Sequence, residues 1–161
     1  KKLILVSSGP FERRYAKEIM KTRLDRLNED EKERFFRVMS TLDEDTGSEE
    51  IDTLLQKTDS YEPMDIKDET EFYPEVYKDV WSEASELRNS GELVSMADEI
   101  KCPVTAIHGD YDPHPAEGVK DPLSGRLEDF RFVLLENCGH YPWREKIARE
   151  RFFELLLEET R

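Results

Sequence analysis

The residues of this chain best suited to chemistry fall in two short segments, Ile107-His108-Gly109-Asp110-Tyr111-Asp112-Pro113-His114-Pro115 and Leu134-Leu135-Glu136-Asn137-Cys138-Gly139-His140. A carboxylate hydrogen-bonded to an imidazole fixes the ring's tautomer and stabilises its protonated form, the arrangement a general base needs. Each segment ends an apolar, β-prone run, Val104-Thr105-Ala106-Ile107 and Phe132-Val133-Leu134-Leu135, which gives way abruptly to polar residues and glycine. In a parallel α/β sheet, ligands and reactive side chains collect in the crevice beyond the carboxyl ends of the strands. Two such strands lying side by side bring Asp112 and His140 together.

Each neighbour has a plainer role to weigh. A lone His140 would be a turn histidine satisfied by the backbone, but its place after a strand and Gly139, with Asp112 in the matching place, favours the base. Asp110 competes for the acid role; strand alternation favours Asp112 and leaves Asp110 as a turn or ion-pairing residue. His108 and His114 with Asp110 and Asp112 make a conceivable metal cluster. Residues so close on one turn are not expected all to converge, and without a distant ligand pattern no metal is expected. Cys138, two residues before His140, is expected as a small buried group, since a thiolate role needs a depressed pKa and an awkward approach to a ring on the same turn.

The motifs Gly109-Asp110-Tyr111-Asp112 and Gly139-His140-Tyr141-Pro142-Trp143-Arg144-Glu145 resemble the acid turn and histidine turn of the α/β-hydrolase superfamily, the second more specifically than the first. That family orders its triad as Ser, then Asp or Glu, then His, and its Gly-x-x-Asp turn again selects Asp112. The resemblance implies a partial α/β-hydrolase fold: about three parallel strands with flanking helices, residues 1–10 and 99–161 as the carboxyl-terminal part of the core, and residues 11–98 as an all-helical cap. The nucleophile elbow Gly-x-Ser-x-Gly is missing, since glycines fall at 9, 47, 91, 109, 118, 125 and 139, and no two are four apart. With Lys1 in place of Met and a strand-like run at once, the sequence reads as the later part of a longer polypeptide. The implied activity is that of a serine hydrolase acting on an ester or amide bond of a small molecule, similar to proline-iminopeptidase-like and esterase-like branches, with Asp112 as orienting acid, His140 as general base and no cofactor. The rival is a non-catalytic truncated module with a binding or structural role. Substrate-binding residues are not assigned.

A formal charge of −14 with a pI near 4.7 argues against nucleic acid or an anionic membrane as partner. Two cysteines, Cys102 and Cys138, lack metal-type spacing and fit a reducing, cytoplasmic setting. No apolar stretch approaches the roughly 18 residues of a membrane span.

The positioning elements can be read from periodicity. Leu3-Ile4-Leu5-Val6 is the continuous apolar run of a strand buried on both faces, stopped by Ser7-Ser8-Gly9-Pro10. Ser7 and Ser8 follow a strand end, but the family comparison puts them at the entrance to the cap, and a polar turn is the expected role. The strand's outer edge is expected to pair with the amino-terminal half of a hydrolase or with a second copy. Two charged helices are expected between Phe11 and Leu42, the second opened by Asn28 and Glu31 as a capping box. A shorter helix follows Thr46-Gly47-Ser48-Glu49, then a loop over 59–70. Pro74 opens a helix that Gly91 stops, and its aromatic stripe, Tyr73, Tyr77 and Trp81, is expected to pack in a core. A crossover helix between 115 and 129 should be broken by Pro122, Ser124 and Gly125. Residues 144–160 form a last amphipathic helix, Glu145 favouring its amino-terminal dipole and Trp143 covering the histidine turn.

Overall fold

The computed structural model describes residues 1–40, 48–66 and 73–161. Three parallel strands, β1 (Leu3–Val6), β2 (Val104–Gly109) and β3 (Phe130–Leu135), lie in the order β1-β2-β3. Leu3 pairs with Val104, and Val104 with Phe130. β2 is the central strand and all six of its residues are buried. β1 is less enclosed than the both-face burial expected of it: its four residues are each half-buried, because only β2 flanks it among the described residues.

Alternation along the strands splits the core in two. On one face Val104 and Ala106 pack with Val119, Leu123, Leu127 and Ala97; on the other Ile107 and Leu135 pack with Cys138, Ala148, Phe152 and Leu155. The link from β1 to β2 runs through α1 (Arg13–Asp25), α2 (Glu29–Ser40), α3 (Ser48–Asp59), α4 (Pro74–Ser90), α5 (Glu92–Ser95) and a 3-10 turn over Met96–Glu99. α2 starts on the expected capping box, with the Glu31 N–H on Asn28 Oδ1 and the Asn28 N–H on Glu31 Oε2, both at 2.9 Å. Leu27, Phe35, Val38, Ile51 and Leu54 form a separate small core among α1, α2 and α3. Leu42 and the Thr46-Gly47 start signal lie outside the described residues.

Four expectations need correction. The aromatic stripe of α4 does not pack in a core: Tyr73, Tyr77, Val80 and Trp81 are 60, 51, 58 and 44% exposed. α4 reaches the sheet layer through Arg88, whose Nε donates to the Pro10 carbonyl at 2.7 Å, and Gly91 ends it in the left-handed conformation as expected. The loop expected over 59–70 starts one residue later, because Asp59 closes α3 and is buried together with Thr58 and Ser60; residues 67–70 of it lie outside the described residues. The crossover helix α6 (Glu117–Ser124) runs through Pro122. Proline leaves the carbonyl four residues back without its usual donor, and that carbonyl, Gly118 O, instead receives the Phe11 N–H at 2.9 Å. The last helix, α7 (Arg149–Glu159), starts later than expected, after a 3-10 turn over Pro142–Arg144.

Candidate active site

Both turns beyond β2 and β3 are built on backbone contacts that tolerate no side chain. A Cβ on Gly109 would collide with the Cys138 and Gly139 carbonyls, and one on Gly139 with the Asp59 carbonyl and Ser60 Cα. The turns are then stitched together: the Asp110 N–H donates to Leu135 O at 2.9 Å, the Tyr111 N–H to Cys138 O at 2.8 Å, and the Cys138 N–H to Asp110 Oδ1 at 3.1 Å. Asp110 is thus the turn residue expected of it. Asn137, at φ 54°, takes the left-handed position between β3 and the histidine turn.

This stitching brings Asp112 and His140 together, with His140 Nδ1 at 2.8 Å from Asp112 Oδ2. The Asp112 side chain is fully enclosed and that of His140 is 21% exposed. The other Asp112 oxygen, Oδ1, accepts the His114 N–H at 2.9 Å and faces His114 Nδ1 at 2.8 Å. Since a carboxylate only accepts, both rings carry their proton on Nδ1 toward it. The neutral His140 therefore has a bare Nε2, the atom that takes a proton. The His114 and His140 rings stack, 4.4 Å between centroids at 29°. His108, also buried, has Nε2 at 2.8 Å from the His114 carbonyl and 3.5 Å from Asp112 Oδ2.

Burial pushes the Asp112 pKa upward, but the hydrogen bonds from His114 and His140, and then the charges on those rings, outweigh it and hold the carboxyl well below the usual carboxylate range. For His114 burial wins over the neighbouring carboxylate, lowering its pKa and favouring the neutral ring. Cys138 is pushed up to about 12, first by burial and then by the charges of Glu145, Asp110 and Asp112, so its thiol stays protonated.

His108, Asp112 and His114 meet while Asp110 turns away to the Cys138 N–H, so the four residues of the turn do not all converge. Asp112, His114 and His140 offer ligand atoms within 4.8 Å of one another. A cation held between the two Nδ1 atoms and the carboxylate would have to displace the protons now shared there.

Arg23 and Asp59 carry no sequence signal for this role, and Glu145 does not act as its place in the motif suggested. Arg23, on α1, clasps both carboxylate oxygens of Asp59 at 2.9 and 2.5 Å, and Asp59 in turn accepts the His140 N–H on its carbonyl at 2.6 Å. Glu145 is buried as an acceptor, not set at a helix start: its carboxylate receives the N–H groups of Tyr61, Glu62 and Gly139, each at 2.8 Å. On the acid turn, Tyr111 lies between the Arg26 guanidinium, 3.6 Å from the ring centroid, and the edge of Tyr61 at 5.4 Å. Trp143 packs edge-on to Tyr141, which stands edge-on to His140. Ser7 follows β1 with φ 46°, and its hydroxyl is buried without a hydrogen-bond partner among the described residues, so the polar turn expected there is neither solvated nor bonded to His140.

No protein-family model and no curated protein matches the sequence. Among solved structures the chain is similar to VinJ, at 18% identity and a TM-score of 0.62, covering 98% of this chain and 56% of that one. It is also similar to the proline iminopeptidase of Mycobacterium smegmatis, at 11% identity and a TM-score of 0.55, covering 99% and 56%. The chain thus spans just over half the length of these structures. Three adjacent parallel strands, a long helical connection after the first and a single helix between the other two give it the fold of the carboxyl-terminal part of an α/β-hydrolase.

Proposed function

We propose that this chain is the part of a serine hydrolase that carries the acid and the base, with Asp112 orienting His140 and His140 Nε2 removing the proton of a serine that lies outside these residues. The observation that carries the reading is the 2.8 Å approach of His140 Nδ1 to Asp112 Oδ2 beyond the ends of adjacent parallel strands. Asp112, ionised and enclosed, holds the ring in the tautomer with Nε2 bare and stabilises the imidazolium once the proton has arrived. The serine oxygen then attacks the acyl carbon of an ester or amide in a small molecule, and the imidazolium returns its proton to the leaving group. Helices α1–α4 act as a cap over the crevice. The outer edge of β1 pairs with the nucleophile-bearing remainder of the hydrolase.

The reading is tested on the intact protein with a fluorophosphonate probe and p-nitrophenyl esters. Labelling of one serine and ester turnover should both fall by roughly 10⁴-fold or more in His140→Ala, as for members of a triad that act as a unit. Labelling at full rate in His140→Ala would remove the base role, and no labelling of the intact protein would favour the non-catalytic module.

A further inference from the structure

His114 is one of two buried histidines that proton removal by His140 does not use. Its backbone N–H and its Nδ1 converge on the same oxygen of Asp112, Oδ1, at 2.9 and 2.8 Å, and its ring lies flat against that of His140. Its own carbonyl is tied to His108 Nε2 on the rigid central strand, at 2.8 Å. A carboxylate with one oxygen gripped by two donors from one residue cannot turn about its last torsion without breaking both. We propose that His114 is a positioning residue of the Asp112–His140 pair: it pins Oδ1 so that only Oδ2 faces His140, and its ring holds the His140 ring in the rotamer that reaches Oδ2. The inference rests on the catalytic reading of that pair.

A second effect follows from sharing the carboxylate. The His114 Nδ1–H draws negative charge toward Oδ1, leaving less to stabilise an imidazolium at His140. Two imidazolium rings stacked at 4.4 Å on one carboxylate would repel, so one of them stays neutral, and burial makes that one His114. The other groups facing the two rings are His108 from β2, Arg23 from α1 with its partner Asp59 from α3, and Tyr141 beside His140. Arg23 is paired with Asp59, so His114 is the donor whose removal changes the charge on Asp112 most directly.

The test is histidine NMR on the intact protein, with the ring resonances of His108, His114 and His140 assigned by single substitutions. His114→Phe keeps a ring for stacking but has no donor; His114→Asn keeps an N–H near the position of Nδ1. The His140 ring should titrate at a higher pH in His114→Phe than in the parent, and in His114→Asn as in the parent. An unchanged His140 titration in His114→Phe, or the same shift in both variants, overturns the inference. Should His114→Phe fail to fold, the unsubstituted protein still decides: at neutral pH the His114 ring must be protonated on Nδ1 and bare on Nε2, and the opposite tautomer overturns the proposal. A His140 ring bare at Nδ1 would instead remove the catalytic pair itself, so the two failures are distinguishable.

Discussion

Arg23 and Asp59, 36 residues apart in sequence, form a two-pronged ion pair at 2.9 and 2.5 Å that fastens α1 to the end of α3 directly beneath the histidine turn. The Asp59 side chain is 1% exposed and that of Arg23 18%, and Thr58 Oγ1 adds a third donor to the carboxylate at 2.6 Å. Because the Asp59 carbonyl receives the His140 N–H, the pair sets where the imidazole starts from.

Removing one partner of such a pair leaves a buried charge uncompensated, at a cost of about 3–5 kcal/mol, whereas removing both costs less. Arg23→Leu should therefore lower the urea midpoint of the intact protein strongly, and Arg23→Leu with Asp59→Asn should recover part of the loss. Single and double variants unfolding together with the parent would show that the pair is not holding the turn.

Glu145 joins the histidine turn to the segment after α3 through three backbone N–H groups on one buried carboxylate. Glu145→Gln keeps the shape but replaces one accepting oxygen with an amide that points a donor at a donor. Its expected cost is about 2–3 kcal/mol, the range for losing a charged hydrogen bond and leaving a buried N–H unpaired. Chemical denaturation measures it, and Glu145→Asp, too short to reach all three, should be no better.

Two enclosed groups of the site give the fold a pH response. Asp112 has its folded pKa depressed, so its contribution is present above the unfolded value near 3.9 and is lost as pH falls below it. His114 also has a lowered folded pKa, and between that value and the unfolded one near 6.5 the unfolded chain binds the extra proton. Stability should thus fall in two steps on acidification, the first just below about pH 6.5 and the second below about pH 4. Urea midpoints against pH read this directly: His114→Asn should erase the upper step and leave the lower one, and an upper step that persists would place its origin elsewhere.

The sequence disclosed the parts of the site that lie close to strand ends. Gly109-Asp110-Tyr111-Asp112 and Gly139-His140 could be read because a parallel sheet presents whatever follows its strands to one crevice, and the structure does join Asp112 to His140 there. His114 was visible only as a possible metal ligand, since its Oδ1 contact depends on a turn conformation that spacing does not specify. Glu145 stands in the histidine-turn motif, but its place there reads as a helix-start charge, not as the acceptor it is; Arg23 and Asp59 were illegible for a different reason. Each sits in a highly charged stretch, where one buried carboxylate among 38 acidic residues carries no periodic mark. The α4 stripe misled in the opposite direction: Tyr73, Tyr77 and Trp81 recur with helical period, yet they are 60, 51 and 44% exposed.

Ser7 combines a left-handed φ of 46° with a buried hydroxyl that has no partner among the described residues. The first costs a non-glycine residue about 1 kcal/mol and the second about 1 kcal/mol or more, less the extra chain entropy of glycine in the unfolded state. Ser7→Gly should accordingly raise the urea midpoint, by a stabilisation of about 0.5–1 kcal/mol. A loss of stability of similar size would show that the hydroxyl is paired in the intact protein, with a group that these residues do not include.

The outer edge of β1 leads to the last prediction. Leu3 and Ser7 give their N–H groups to Pro103 O and Ile107 O on the β2 side, so by the alternation of a parallel ladder the N–H groups of Ile4 and Val6 point away from β2. An apolar edge with unpaired donors is a template for another strand, and the hollow beside it, lined by Leu3, Leu5, Phe11, Met96 and Ile100, is apolar as well. The 161-residue chain, prepared alone, should therefore self-associate with rising concentration in light scattering, and the Ile4 and Val6 amides should gain exchange protection in step with it. Val6→Pro removes an outward N–H without touching the β2 ladder, so it should leave the sheet formed and abolish the association. A chain that stays monomeric while its Ile4 and Val6 amides exchange slowly would mean that the edge is already covered from within, and the pairing partner proposed for β1 would have no place to bind.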